Sequence, residues 1–198
     1  MSRDITMCHP RLQTLAEKLL AEGKKQGLII KIGECFRSVA EQDALYAQGR
    51  TTAGSIVTYA KGSSYSSMHQ WGVAFDVIRN DGKGAYNDND GWYGRVGRLG
   101  KSLGLEWGGD WTSPVDKPHF QLPDWGSTAD KLKKLYGNVD NFKKTWEVKM
   151  VEKKITTYDE AVKVLVDNGV IASREYWDNA VKCVKYLDRL IINMANKM

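Results

Sequence analysis

The stretch SSMHQWGVAFDV, residues 66–77, decides how this chain folds. Its large apolar residues occupy every second position, at Trp71, Val73, Phe75 and Val77. This period of two predicts a β-strand with two different faces, and it places Asp76 on the face away from the larger side chains. His69, one of three histidines in the chain, stands seven residues before Asp76. A second acid and histidine, Asp116 and His119, follow in VDKPHFQLP.

The segments on either side of this strand predict a mixture of helices and strands. Residues 10–27 carry leucines at helical spacing, and LIIKIGECF at 28–36 alternates as a second strand. Ser38 and Glu41 form a capping box that opens a second helix. Residues 50–67 are rich in Gly, Ser and Thr and predict a long loop, whereas 92–105 predict a third helix. We therefore expect an α+β fold in which helices flank a small antiparallel sheet.

The composition changes after about residue 140. Residues 141–154 are strongly charged and predict a linker between a domain at 1–140 and a helical domain at 155–198. Thr157 and Glu160 form a further capping box. Residues 174–198 predict one longer helix whose apolar side chains recur in steps of three and four. Two helices of this length bury little alone, so we expect them to dock on the first domain, on a second copy or on a ligand.

Composition also limits the classes of partner. The chain has 198 residues, a formal charge of +5 and a pI near 9.0, which favours acidic partners such as a bacterial wall. Its basic residues are scattered, so we expect no nucleic-acid partner. No apolar run reaches the roughly 20 residues that a membrane span needs, and the N-terminus predicts no signal peptide. Three separated cysteines predict neither a disulfide framework nor a zinc knuckle.

The two acid–histidine segments supply the ligand types of a catalytic zinc site. Such a site uses three imidazole or carboxylate ligands and keeps a fourth position for water, which His69, Asp76 and His119 could satisfy. Asp116 lies three residues before His119, where a carboxylate could act as general base. The residue types alone are equally compatible with histidines whose hydrogen bonds are satisfied in a core.

The chain carries three motifs that resemble those of one known family and that follow one another along the chain in the same order as in that family. SMHQWGVAFD fits SxHxxGxAxD, DKPHF fits DxPHF, and FRSVAEQDALYAQGRT at 36–51 resembles an N-terminal signature that ends in Gly-Arg-Thr. Together they cover about residues 10–125 and resemble the zinc D,D-peptidase-related (M15-type) family. That family includes L-alanyl-D-glutamate endopeptidases of phage endolysins and D-alanyl-D-alanine carboxypeptidases.

The resemblance implies a role for each matching position. The implied zinc ligands are His69, Asp76 and His119, and the implied catalytic base is Asp116. Arg37 would stabilise the developing oxyanion or hold a substrate carboxylate, and Ser67 would support the site through a hydrogen bond. The base precedes Lys-Pro-His, which favours the endopeptidase branch. Cys35 and Phe36 stand where the family commonly has Gly-Tyr, which leaves the detailed shape of the pocket open.

Tryptophans flank the third of these histidines. Trp107 and Trp111 could wall a groove for a peptide stem, although tryptophan at such positions is also typical of a core. The neighbouring Trp125 carries the same two interpretations.

The function that the resemblance implies is a zinc-dependent peptidoglycan hydrolase, an endolysin. It would cleave the peptide stem at the L-alanyl-D-glutamate bond with a metal-activated water. The alternatives are a D-alanyl-D-alanine carboxypeptidase and a non-catalytic wall-binding protein. The helical tail would contact acidic wall polymers or join a homodimer, and otherwise the protein would be a monomer. It would be made in the host bacterial cytoplasm and act at the wall after release.

Overall fold

Four short strands form one antiparallel sheet in the first part of the chain. The computed structural model describes residues 2–146, 157–167, 174–183 and 187–196. The strands are β1 Ile30–Glu34, β2 Ala74–Arg79, β3 Glu106–Trp107 and β4 His119–Gln121. Their order in the sheet is β1-β2-β4-β3, and each neighbouring pair is antiparallel. The predicted α+β class with a small antiparallel sheet is thereby confirmed.

Along the sequence, α-helices precede, separate and follow the strands of this sheet. The α-helices of this part are α1 Pro10–Lys25, α2 Val39–Ala47, α3 Trp92–Ser102, α4 Asp130–Tyr136 and α5 Val139–Trp146. Helix α2 begins with the predicted capping box, because Ser38 Oγ accepts from Glu41 N and Glu41 accepts from Ser38 N. The predicted loop at 50–67 contains the short 3-10 helix Gly62–Ser64.

The core lies on the face of β2 that the alternation predicted. Trp71, Val73, Phe75 and Val77 are all fully buried. Phe75 stacks on Phe120 of β4, with ring centroids 5.7 Å apart. The side chain of Asp76, by contrast, is 22% exposed. Burial of one strand face fixes the register, because a slip by one residue would exchange the two faces.

Two glycines let α3 lie close against the sheet. A methyl group at Gly97 would come within 2.4 Å of the Trp107 ring, and one at Gly100 within 2.3 Å of Phe120. Side chains larger than hydrogen at these positions would force the helix away from β3 and β4. Gly97 and Gly100, unfavourable by helix propensity, are therefore explained by packing.

We expect Gly97→Ala to destabilise the protein by about 1–3 kcal/mol, because the added methyl overpacks against the buried Trp107. Gly94→Ala is the matched control in the same helix. A methyl there has open space apart from Arg98 at 3.8 Å, so helix propensity should stabilise it by up to about 1 kcal/mol. Urea unfolding of both variants measures the difference; an equal response would contradict the packing explanation.

The first compact unit extends beyond the expected boundary at residue 140. The chain divides into units at Met1–Trp146 and Glu147–Met198. The charged segment from residue 141 begins as helix α5, because Phe142 is fully buried and packs against Trp71 and Tyr136. The rest of the expected linker, residues 147–154, lies outside the described residues.

The second unit contains three described helices, α6 Tyr158–Asp167, α7 Arg174–Cys183 and α8 Leu187–Ala195. Thr157 caps α6 by accepting from Glu160 N. Of the predicted longer helix, the structure describes α7 and α8, and residues 184–186 lie outside the described part. Helices α6 and α8 share a small core of Ala161, Val162, Leu165, Ile191 and Ala195.

Part of the predicted apolar stripe of the tail remains at the surface. Leu190 is 55% exposed and Met194 is 37% exposed. Among the described residues, none of the helices is both long enough and apolar enough to cross a membrane.

Candidate metal centre and active site

Two neighbouring strands and a 3-10 helix bring His69, Asp76 and His119 together. Asp76 of β2 lies directly opposite His119 of β4 in the antiparallel register. His69 belongs to the 3-10 helix Met68–Trp71, which ends at Gly72 in the left-handed conformation at φ 66°. That conformation, which glycine adopts without steric cost, turns the chain directly into β2. All three side chains thus meet at the two central strands of the sheet, β2 and β4.

The spacing of the three donor atoms matches a tetrahedral metal site. His69 Nε2 and His119 Nδ1 lie 3.4 Å and 3.2 Å from Asp76 Oδ1. The two nitrogens are 3.2 Å apart. Four ligands at roughly 2.0–2.1 Å around zinc would be separated from one another by about 3.3 Å. The three donors therefore have the separations of one face of such a tetrahedron.

The tautomer of His69 follows from its buried backbone partner. His69 Nδ1 lies 2.8 Å from the carbonyl oxygen of Cys35. A carbonyl can only accept a hydrogen bond, so Nδ1 carries the proton. His69 Nε2 consequently presents a lone pair toward Asp76.

The tautomer of His119 is set by Gln121 through a chain of acceptors. The Gln121 amide nitrogen donates to Glu106 Oε2 and to the carbonyl of Gly126, each at 3.2 Å. Gln121 Oε1 therefore points at His119 Nε2, 3.0 Å away, and accepts its proton. His119 Nδ1 is left with a lone pair, directed into the same space as that of His69.

With both imidazoles neutral, three electron-pair donors thus converge on one point. Asp76 Oδ1 is buried and has no hydrogen-bond donor within the described structure, although both nitrogens are close. Such an arrangement is unfavourable unless a cation occupies the centre. The three residues therefore fit a divalent metal ion. Among the described residues, they form the group of His, Cys, Asp or Glu side chains whose ligand atoms lie close enough together to hold one.

Electrostatics at the triangle favour positive charge. Burial opposes ionisation of Asp76, but the two histidines outweigh it and hold the pKa of Asp76 well below its usual range. Burial likewise opposes the charged form of His119, but the neighbouring carboxylate of Asp76 raises the pKa of His119 above its usual value. A proton and a metal ion therefore compete for the same nitrogen.

Asp116 lies beside this triangle on the turn before β4. Its N–H donates to Gly108 O at 2.9 Å, and its carbonyl accepts from His119 N at 3.2 Å. A side chain at Gly108 would come within 2.5 Å of Asp116 O, so glycine is needed for this turn. Burial, and then the charge of Asp76, raise the pKa of Asp116. A raised pKa makes a carboxylate a better proton acceptor near neutral pH.

Arg37 is buried in this structure and held by two side chains. Its Nε donates to Glu34 Oε1 at 2.6 Å, and its Nη1 donates to Gln42 Oε1 at 2.8 Å. Its backbone N–H donates to His69 O at 3.2 Å, which ties it to the helix that carries His69. The charge of Arg37 acts on the pKa of Asp116 in the lowering direction, against the larger raising effects of burial and of Asp76.

The remaining predicted site residues occupy different surroundings. Ser67 is half-buried at the N-terminus of the His69 helix, where its carbonyl accepts from Gln70 N. The half-buried Trp111 lies with its ring centroid 4.9 Å from that of His119. Trp107 is buried and packs in the core, and its predicted substrate contact stays a prediction. Trp125 packs against His9 and Phe142.

Sequence reasoning missed the partners that hold the site residues in place. Gln121 shares the face of His119 because it lies two residues along the same strand, a signal that strand periodicity could have supplied. Glu106 is its direct partner across β3 and β4, and it also accepts from Trp111 Nε1 at 2.9 Å. Glu34 and Gln42, which hold Arg37, carry no comparable local signal.

We expect Gln121→Leu to weaken zinc binding about 10–100-fold, because His119 loses the acceptor that fixes its tautomer and ring orientation. Competition with a chromogenic chelator measures the change in Kd. Gln26→Leu, at the exposed residue that ends α1, is the matched control and should bind zinc as the parent chain does. An unchanged Kd in Gln121→Leu would show that the tautomer is fixed by other means.

The chain is similar to several known proteins. The M15 peptidase model described as D-alanyl-D-alanine carboxypeptidase matches residues 60–122. The peptidoglycan L-alanyl-D-glutamate endopeptidase CwlK of Bacillus subtilis (strain 168) is 40% identical over 124 residues, which are 58% of this chain and 72% of the relative. The L-alanyl-D-glutamate peptidase of Listeria phage A118 is 32% identical over 123 residues, 60% of this chain but 39% of the phage protein.

The chain is also similar to a solved structure. The crystal structure of Serratia marcescens L-Ala D-Glu endopeptidase ChiX aligns with 60% of this chain and 83% of that chain, at a TM-score of 0.45 and 23% identity. Because the match to the B. subtilis protein combines high identity with most of that protein's length, this chain belongs to the M15 family of peptidases.

Proposed function

We propose that this peptidase is a zinc-dependent peptidoglycan hydrolase that cleaves the L-alanyl-D-glutamate bond of the peptide stem. The observation that carries the proposal is the triangle of His69 Nε2, Asp76 Oδ1 and His119 Nδ1, three metal-ligating atoms at tetrahedral spacing. The names of the B. subtilis and Listeria phage relatives support the choice of bond.

The proposed ligands are the three residues of the triangle. Zn²⁺ bound there would supply Lewis acidity, lowering the pKa of a water molecule and polarising the scissile carbonyl. Asp116 is the proposed general base: it accepts the proton of the attacking water and passes it to the leaving amine of D-glutamate. Arg37 stabilises the negative charge that develops on the carbonyl oxygen or holds a substrate carboxylate. Ser67 supports the helix that carries His69, and Trp111 borders the substrate beside His119.

Two alternatives differ from this proposal in what they release. A D-alanyl-D-alanine carboxypeptidase, as the matched family model is described, removes only a terminal residue. A non-catalytic wall-binding protein would use the metal for structure, and a structural zinc site is closed by four protein ligands. Among the described residues the group has three members, which favours a site with an open position and hence catalysis.

Digestion of purified Gram-positive peptidoglycan, with fragments read by mass spectrometry, tests the proposal. New peptides that begin with D-glutamate should appear, vanish with chelator and return with zinc. Loss of terminal D-alanine alone would support the carboxypeptidase. Absence of any metal-dependent fragment from several wall types would leave a binding protein.

We further infer that the helical tail, residues 155–198, contacts acidic wall polymers or joins two copies of the chain as a homodimer. The exposed Leu190 and Met194 of α8 provide apolar surface for either contact. The setting we propose is phage-mediated lysis, with synthesis in the host cytoplasm and action at the wall after release, and the Listeria phage relative supports it. Sedimentation of the intact protein with walls, and its molar mass in solution, separate the two roles.

A further inference from the structure

The long loop before His69 is fixed in place by buried polar side chains. The fully buried Gln42 donates its amide to Thr58 Oγ1 at 3.1 Å and to Ala60 O at 2.8 Å. Gly62 is held from both sides, since its N–H donates to Asp43 and its carbonyl accepts from Gln70. These contacts give one defined conformation to a segment with little regular secondary structure.

This ordered loop nevertheless presents large side chains to solvent. Ile56 is 46%, Val57 55% and Tyr59 80% exposed. Ordering a loop costs conformational entropy, and here the cost is not offset by burying those side chains in the core. A pre-organised surface of this kind is typical of a binding site, because less ordering remains to be done when the ligand arrives.

A groove of about 470 Å³ runs along this surface. It is lined by Tyr46, Tyr59, Ala60, Lys61, Ser64 and Ser66. The Arg50 guanidinium lies 4.0 Å from the centroid of the Tyr46 ring and 5.7 Å from that of Tyr59. Arg50 also donates to the carbonyls of Tyr46 and Thr58, so it links helix α2 to the loop. The groove therefore has two aromatic rings in its lining, both in contact with one arginine.

The rest of the lining is rich in hydrogen-bonding groups. Ser64 and Ser66 supply hydroxyls, and Lys133 Nζ lies 2.9 Å from Ser66 Oγ. Pyranose rings offer apolar C–H faces that pack on aromatic rings, and hydroxyl and acetamido groups that exchange hydrogen bonds with such partners. The combination fits a saccharide better than it fits a purely apolar ligand.

The groove is joined to the candidate active site through one side chain. Gln42 accepts from Arg37 Nη1 with the same amide whose nitrogen holds Thr58 and Ala60. Ser66, which also lines the groove, lies two residues before the 3-10 helix Met68–Trp71 that carries His69. Segments that neighbour each other in the chain thus form the groove and hold the first metal-ligand candidate.

We propose that this groove binds the glycan strand of peptidoglycan, an inference that rests on the proposed function. In that polymer the L-alanine of the stem is joined to the lactyl group of muramic acid. A cut after L-alanine therefore takes place one residue from a sugar, which the protein must accommodate. Tyr59 packs against a sugar ring, while Lys61 and Ser66 donate to its oxygens.

Kinetics on two substrates test the proposal. One is a stem peptide attached to the N-acetylglucosaminyl–N-acetylmuramyl disaccharide, and the other is the same peptide without sugar. We expect Tyr59→Ala to lower kcat/KM about tenfold on the first, mainly through KM, and to leave the second unchanged. Tyr86→Ala, at a tyrosine that is 73% exposed and not in the groove lining, is the matched control and should change neither.

A binding measurement keeps this inference separate from the activity. The peptide-free disaccharide, titrated into the full chain and followed by NMR, should shift signals of Tyr59 and Ser66, and those shifts should be lost in Tyr59→Ala. Equal loss of kcat/KM on both substrates would assign the groove to the peptide and overturn the proposal, as would absence of disaccharide binding. Failure of the parent chain to cleave either substrate would refute the proposed function, while the titration would still decide the groove.

Discussion

Asp76→Asn is expected to abolish stoichiometric zinc binding and to lower kcat/KM on stem peptide by on the order of 10³-fold or more. Asp76 Oδ1 is the anionic corner of the donor triangle, buried and without a hydrogen-bond donor of its own in the described structure. Asparagine keeps the shape but removes the charge that offsets the cost of placing a divalent ion between two imidazoles. The protein should remain folded, because a neutral amide is easier to bury than a carboxylate.

Zinc content by plasma mass spectrometry and steady-state kinetics on the same preparation measure both effects. Asp130→Asn makes the identical chemical change at a side chain that is 83% exposed, and it should behave as the parent chain does. Circular dichroism confirms that both variants are folded. Full zinc content with full activity in Asp76→Asn would exclude Asp76 as a ligand and would require another donor set.

Asp116→Asn should separate metal binding from catalysis. Asp116 lies outside the triangle, so the variant should retain stoichiometric zinc. An amide cannot accept the proton of the attacking water, so kcat should fall about 10²–10⁴-fold with a smaller change in KM. The raised pKa of Asp116, caused by burial and by Asp76, is consistent with a group that takes up a proton in the reaction.

Asp110→Asn is the control for this second variant, since it lies on the neighbouring 3-10 helix Gly108–Asp110 and pairs with Lys101 at the surface. It should keep kcat within about twofold, because exposed ion pairs contribute little. Loss of zinc from Asp116→Asn would identify Asp116 as a ligand rather than a base. Unchanged kcat with zinc bound would assign the proton transfer to another group.

The departure from the family pattern at Cys35 and Phe36 leaves the metal triangle intact. Cys35 contributes its backbone carbonyl to His69, a contact that does not depend on the side chain. Its thiol instead donates to the carbonyl of Ser2 at 3.3 Å. The Phe36 ring lies under Lys143 of α5, with Nζ 3.9 Å from the ring centroid. The presence of phenylalanine at position 36, where the family commonly has tyrosine, therefore changes the surface that faces α5.

The sequence by itself determined the elements whose signals lie within a few residues. Alternation at Trp71–Val77 predicted β2 and its buried face, and the Ser38–Glu41 capping box marked the start of α2. The motifs around His69, Asp76 and His119 named the residues that the structure brings together. The first two patterns report the local backbone period or a hydrogen bond between near neighbours, which is why no tertiary contact was needed to find them. The ligand residues, by contrast, were named by the resemblance to a known family.

Only the tertiary structure decided the features that depend on residues far apart in the chain. The tautomer of His69 rests on a carbonyl at residue 35, and that of His119 on Gln121 and, through it, on Glu106. The first unit continues to Trp146 because Phe142 finds its aromatic neighbours across the fold. Burial and hydrogen-bond partnership arise from packing between distant segments, and no period within one segment encodes which of them meet.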